Sequence, residues 1–178
     1  SEDTYRLSGL LRGRLGTEEQ IYNHEVNEIF ILLDSLKVLM FSSADWHLDK
    51  LYRVGPVTLP VTDENYTNYA VNIKGIGAKP YSVCHVSSIR DVSGNLTISW
   101  IRRTRINGDW KPYTDVPLGE AIEAYEVDII LNEKILRTIS INKPQAIYTA
   151  SQQIDDFGKV QASIKVRIYQ ISEVYGRG

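Results

Sequence analysis

The chain has 178 residues with 20 Lys+Arg against 22 Asp+Glu, a formal charge of −2, a hydrophobic fraction of 43% and a single cysteine. These values exclude a long disordered chain, a basic nucleic-acid or anionic-membrane binder, an internal disulfide scaffold and a cysteine zinc cluster. The length permits one large domain or two small ones, and the unusual entry is aromatic, 11 Tyr against 3 Phe and 3 Trp, which suits β structure and wet binding surfaces.

The opening residues SEDTYRLSG lack the basic and then apolar segments of a signal peptide. The missing initiator Met reads as a fragment of a longer protein. Leu7, Leu10 and Leu11 have helical spacing for a short helix or turn before Gly13 and Gly16. Thr17-Glu18-Glu19-Gln20 has the pattern of a capping box and predicts a helix to about Asn27. The most apolar run, IFILLDSLKVLMF at 29–41, is too short and too interrupted by Asp34 and Lys37 to span a membrane. It reads as buried strand, with strands at 28–33 and 37–41 and a turn at Asp34-Ser35. A helical turn at 45–51, a Pro-interrupted edge strand at 52–59, and strands at 69–73 and 81–86 follow.

The second half alternates more cleanly. Leu96, Ile98 and Trp100 fall on one face of a strand, and Asn107-Gly108 predicts a hairpin excursion between residues 101–106 and Trp110. Strands at 125–131, 135–141, 147–150 and 164–171 complete the set. Short strands at this spacing predict an antiparallel sandwich. The two halves also differ in charge: net −3 up to Ser88 and +1 from Ile89. A soft boundary therefore falls at 88/89, giving an N-terminal mixed β/α module at 1–88 and a β-sandwich at 89–178.

Residues that could carry chemistry are few. His24, His47 and His85 have no metal-ligand spacing, and His24-Glu25 is not followed by the second histidine of a zinc protease. Cys84 and His85 are neighbours on a strand and so point to opposite faces, which rules them out as a nucleophile–base pair with each other. Glu120/Glu123 and Asp155/Asp156 have no fixed separation that would mark a glycosidase. The glycines at 9, 13 and 16 are too closely set for a phosphate loop. The sharpest cluster is Arg102, Arg103 and Arg105, flanked by Trp100 and Trp110, where cation–π stacking is possible. Pairing with Glu120, Glu123 or Glu126 outweighs ligand binding as their role, because the near-neutral chain opposes a nucleic-acid site.

Taken in order, the landmarks LSGLLRGRLGTE (7–18), FILLD (30–34), KPYSVCHV (79–86), LTISWIRRTRINGDW (96–110), VPLGEAIEAYEVDI (116–129), YTASQQIDDFG (148–158) and VRIYQISEVYGRG (166–178) form a pattern. It resembles the C-terminal region of the large tail-tip, or baseplate hub, proteins of long-tailed phages, especially those of alphaproteobacterial phages and gene transfer agents. WIRRTR with the nearby NGDW, then PLGE and YEVDI, is the most specific part. The resemblance implies a structural virion component at the distal end of the tail, assembled in the bacterial cytoplasm and homotrimeric in the particle. Its C-terminal region would contact other tail or baseplate proteins, tail fibres, or a host receptor or glycan. It implies no enzyme, no cofactor, no metal site and no nucleic-acid partner, because lytic activity in such tails resides in other modules.

The second half further resembles a fibronectin type III-like sandwich, packed on the N-terminal module with its one or two short helices. In that resemblance Trp100 is the buried tryptophan of an early strand, Tyr125 the aromatic of the next, and 164–171 the long penultimate strand. Such domains carry a last strand after a glycine loop, whereas this chain stops at Gly176-Arg177-Gly178. An edge left open there would accept a partner strand. The interface candidates are Arg103, Arg105, Trp110, Tyr113 and Tyr125. The alternative reading is a carbohydrate-binding module for host surface polysaccharide.

Overall fold

The computed structural model describes residues 6–13, 16–33, 39–108 and 115–178. The chain divides into two compact units, Ser1–Gly77 and Ala78–Gly178. The boundary expected at 88/89 falls inside a strand, Cys84–Arg90, whose ladder partner lies in the second unit. A hydrogen-bonded strand holds its two ends in one unit, which moves the division to before that strand.

In the first unit, β1 (Asp49–Val54) and β2 (Thr67–Asn72) form an antiparallel pair, from Asp49↔Asn72 to Val54↔Thr67. The connecting loop is closed by Tyr66, whose hydroxyl donates to the carbonyls of Pro56 at 3.0 Å and Leu59 at 3.2 Å. A 3-10 turn at Ser43–Asp45 precedes β1 in place of the helical turn expected at 45–51. Its Asp45 carboxylate accepts the Lys50 ammonium and the Ser42 N–H, which together hold its pKa at about 2. Gly75 sits at φ +64° with the Trp46 ring where a Cβ would be, so no larger residue fits there.

The N-terminal expectations fare less well. Residues 17–27 yield only a 3-10 turn, Glu18–Gln20, with Asn27 in the left-handed region. Ile21 and Val26 are the only aliphatic residues there, too few for a helix to bury a face, and without one so short a helix is marginal. The expected strand at 28–33 does not form, and its apolar side chains are exposed, Ile29 by 84%. Strand propensity without a partner ladder is not enough. Of the second expected strand, residues 39–41 form no strand, and the turn at 34–35 and the start at 37–38 lie outside the described residues.

The second unit is an antiparallel β-sandwich. One sheet has the order β3-β4-β7 and the other β6-β5-β8-β9. The strands are β3 (Cys84–Arg90), β4 (Leu96–Ile101), β5 (Tyr125–Leu131), β6 (Lys134–Ile141), β7 (Gln145–Tyr148), β8 (Lys165–Ser172) and β9 (Gly176–Arg177). The two-residue alternation predicted for β4 and β5 is what buries their inner faces. Ile98 and Trp100 of β4 meet Tyr125, Val127 and Ile129 of β5, with Ala146 and Tyr148 of β7 beside them. The Trp100 and Tyr125 rings stack edge to face across the sheets at 5.2 Å and 73°. β5 returns into β6 through Asn132-Glu133, both at positive φ as a tight primed hairpin turn requires.

Two features depart from the sequence expectation in this unit. No strand forms at 101–106 beyond the end of β4, so the predicted hairpin excursion is not seen among residues 102–108, and its far side at Trp110 lies outside the described residues. A helix, α1 (Ala150–Phe157), follows β7 immediately, so Ala150 belongs to it and not to a strand. Its start is a true capping box: Thr149 Oγ1 accepts the Gln152 N–H at 3.2 Å, and Gln152 Oε1 accepts the Thr149 N–H at 2.9 Å. Gly158 at φ +76° ends it.

Truncating a side chain at the centre of this core leaves a cavity that the two sheets cannot close. Ile129→Ala, at a site 0% exposed, lowers unfolding free energy by about 3 kcal/mol. A shift of the urea midpoint at unchanged m-value measures it.

Candidate functional site

Immediately after β4 the backbone leaves the sheet, and Arg102, Arg103 and Arg105 diverge to different partners. Arg102 donates to Asp115 at 2.6 Å, Glu123 at 3.3 Å and the Val116 carbonyl at 2.9 Å. Arg105 donates to the nearly buried Glu120 at 2.9 Å. Arg103 donates to the Ser82 carbonyl at 2.6 Å and lies over the Tyr81 ring at 5.3 Å. Pairing with Glu120 and Glu123 is therefore as expected for Arg105 and Arg102, while Glu126 pairs elsewhere, with Arg177. The aromatic partner of Arg103 is Tyr81, on the segment leading into β3.

Of the interface candidates, Tyr125 is only 1% exposed and belongs to the core, so it offers no contact surface. Its hydroxyl donates to Glu123 at 2.8 Å, the same carboxylate that Arg102 engages. Burial and then the Glu123 charge push its pKa far above the ordinary phenol value, so it stays a neutral donor. Arg105 is held in its ion pair with Glu120. Arg103 remains half-buried on the Tyr81 ring, presenting a planar cation and an aromatic side by side. Trp110 and Tyr113 lie outside the described residues.

Among the described residues, no cluster of His, Cys, Asp and Glu has the geometry to hold a metal ion. Cys84 donates its thiol to the Ile101 carbonyl at 3.6 Å, and the adjoining His85 sits at φ +51° in the bulge that interrupts the β3–β4 register. Of the carboxylates weighed earlier, Glu120 and Glu123 hold Arg105 and Arg102, and Asp156 holds Arg137 through two bonds of 2.7 and 2.9 Å.

Sequence reasoning missed the charge cluster on the outer face of the four-stranded sheet. Asp128 of β5 is fully buried, yet Arg177 of β9 grips it with bonds of 2.7 and 3.1 Å and Thr138 of β6 donates to it at 2.6 Å. The same guanidinium engages Glu126 and covers the Tyr169 ring at 4.8 Å. The signal was the alternation within YEVDI, which puts Glu126 and Asp128 together on the face opposite Tyr125, Val127 and Ile129. Only the fold could supply Arg177 as their counter-charge. Strand β9 itself answers the question of the last strand in part. It pairs with β8 at Ile171↔Arg177 and Ser172↔Gly176, and the Gly178 N–H donates to the Gln170 carbonyl at 2.9 Å.

No family model and no curated protein matches this chain. Among solved structures it is similar to the extracellular region of rat CD45, domains d3-d4, at 9% identity and a TM-score of 0.36, over 100% of this chain and 80% of that one. A similarity that low carries no argument about activity or partners, and the sheet order and core packing carry the description of the fold.

The ion pairs set how the sandwich responds to acid. Burial raises the Asp128 pKa, but the bonds from Arg177 and Thr138 outweigh it, and the net shift is downward. Arg137 lowers Asp156, with Tyr148 helping and burial opposing. Both carboxylates thus bind protons less readily folded than unfolded, where the pKa is about 3.9. Their contribution is fully present above that value and is lost as pH falls through the lower folded values. Thermal melts from pH 6 to pH 2 show a fall in Tm that begins below about pH 4, and Asp128→Asn flattens it. Arg177→Ala lowers stability by about 2 kcal/mol, less than the ~3–5 of a wholly buried pair, because its guanidinium is 38% exposed. Denaturant titration reads the difference.

Proposed function

We propose that this chain is a non-enzymatic structural component of a phage, prophage or gene transfer agent-like tail tip, whose C-terminal sandwich attaches tail fibre proteins or the host surface. The reading is carried by the ordered landmarks along the whole chain, of which the most specific, WIRRTR to YEVDI at 100–129, begins in β4 and ends in β5. A rigid sandwich of this kind is well suited to present loops at a particle's outer end without chemistry of its own. In the particle the chain belongs to a trimeric assembly, and its contacts are mechanical. The Arg103–Tyr81 pair is the contact surface in this proposal, because a planar cation and an aromatic ring give contact area at modest entropic cost; Tyr113 stays a candidate from the sequence alone.

Immunogold labelling of particles purified from the host places the chain at the tail tip. Purified particles that lack it overturn the reading. Particles assembled with Arg103→Ala or Tyr113→Ala adsorb to host cells or bind isolated fibre several-fold more weakly, while the unfolding free energy of the isolated chain changes by less than about 1 kcal/mol. A large loss of stability with unchanged adsorption assigns these residues to the fold instead.

A further inference from the structure

Asn107-Gly108 reads in the sequence as a hairpin turn, yet residues 102–108 form no strand. A hairpin would have tied both residues into a backbone ladder. The last local ties are instead made by Thr104, whose hydroxyl accepts from the Ile106 N–H at 3.2 Å and donates to the Ile106 carbonyl at 3.1 Å. Past that point Asn107 and Gly108 are exposed. Among the described residues, neither the Asn107 carboxamide nor the Gly108 N–H has a hydrogen-bond partner. Asn107 sits at φ +48°, a left-handed conformation that a non-glycine residue holds at some cost. No bond to the rest of the fold resists its rotation out of that conformation.

The other asparagines are restrained or shielded. The side-chain amide of Asn65 donates to Asp63 at 2.7 Å, that of Asn72 to Asp49 at 2.8 Å and that of Asn23 to Gln20 at 3.2 Å. Asn95 donates to Asp91 at 2.8 Å and accepts from the Ala150 N–H at 2.9 Å. The remaining four precede Glu, Tyr or Lys, whose side chains crowd the next peptide nitrogen. Asn107 alone precedes glycine, so the nitrogen beside it has no Cβ in the way.

We propose that Asn107 is a site of spontaneous deamidation and isoaspartate formation. The Gly108 backbone nitrogen, once it has lost its proton to base, attacks the side-chain carbonyl carbon of Asn107. A new C–N bond forms, the bond to the side-chain amide nitrogen breaks, and that nitrogen takes up a proton and leaves as ammonia. The product is a five-membered succinimide. Water opens the ring at either carbonyl. Opening at the side-chain carbonyl gives aspartate, and opening at the main-chain carbonyl gives isoaspartate, whose backbone runs through the side-chain carbon. Either product adds one negative charge to the chain's formal −2. Nucleophile and electrophile belong to adjacent residues, so proximity replaces a catalyst, and water is the sole co-reactant. The new carboxylate arises between β4 and β5, two residues beyond Arg105. The site does not depend on the chain being a tail component.

The test incubates the purified chain at mildly alkaline pH and follows it by ion-exchange chromatography and mass spectrometry. A species with one added negative charge accumulates, faster as pH rises, because the attacking nitrogen must lose its proton. Fragmentation of the tryptic peptide 106–134 (trypsin spares the Lys111-Pro112 bond) places the change at Asn107 and not at Asn132. The rate stays within about tenfold of that in a capped synthetic peptide of residues 105–110, because the fold leaves both reacting groups free. Gly108→Ala adds a Cβ that meets only the Thr104 methyl at 3.0 Å and the Thr104 carbonyl at 3.4 Å. This variant keeps its Tm and slows the accumulation at least tenfold. A rate in the folded chain more than tenfold below that of the peptide shows that the fold protects the pair, and overturns the proposal. A charge gain that maps to another asparagine, or that Gly108→Ala leaves unchanged, overturns it too.

Discussion

The sandwich depends on the contact between Trp100 and Tyr125 across its two sheets. A sheet of three strands and a sheet of four have little reason to associate except through the apolar stripe each presents inward. Here that stripe is narrow: Ile98 and Trp100 on one side, Tyr125, Val127 and Ile129 on the other, with β7 adding Ala146 and Tyr148. The two largest rings in it meet edge to face, so they fill the inter-sheet space and also set how the sheets sit on each other. The consequences reach outward. Tyr125 directs its hydroxyl to Glu123, Glu123 binds Arg102, and Arg102 ties down Asp115 and the Val116 carbonyl. The irregular segment after β4 is therefore anchored to the core through one chain of polar contacts.

Elsewhere the polar groups hold what the small core leaves loose. Gln153 of α1 is fully buried with its whole amide engaged: its Nε2 donates to the Gly94 and Tyr148 carbonyls at 3.0 Å each, and its Oε1 accepts from Arg90 at 3.0 Å and from the Gln161 N–H at 3.3 Å. One side chain thus joins the β3–β4 turn, β7 and the approach to β8. Buried and fully satisfied, such a network specifies one arrangement, whereas any missing partner would leave a desolvated polar group. Tyr148 follows the same rule: its ring lies in the core and its hydroxyl donates to Asp156 at 2.7 Å. On the opposite sheet, Arg177 fastens the two-residue β9 through the buried Asp128, which gives a strand too short to hold by ladder bonds alone a strong point of attachment.

These arrangements reshape the functional reading of the arginine-rich segment. In sequence, Arg102, Arg103 and Arg105 looked like one basic cluster between two tryptophans. In the fold they spread to separate partners, and the local charge is largely neutralised by Asp115, Glu120 and Glu123. Arg103 instead lies on the Tyr81 ring and donates to the Ser82 carbonyl. Tyr125 leaves the set of contact residues, and the tyrosine excess divides into core anchors such as Tyr125 and Tyr148 and more exposed rings such as Tyr81 and Tyr169.

The sequence by itself determined the strands whose faces differ. β4, β5, β6 and β8 were legible because two-residue alternation is a local property, and burial of one face enforces it. The capping box and terminal glycine of α1 were equally present in the sequence, at Thr149–Gln152 and Gly158, but the strand expected at 147–150 runs over the start of the helix and residues 151–158 carry no expected element. What only the tertiary structure decided concerns partners distant in sequence. The apolar residues 29–33 had strand propensity but found no ladder, because pairing depends on a neighbour and not on composition. Arg177 became the counter-charge of Asp128 only when β9 was laid beside β8. A strand ladder and a buried ion pair are relations between strands, so no local pattern could have encoded them.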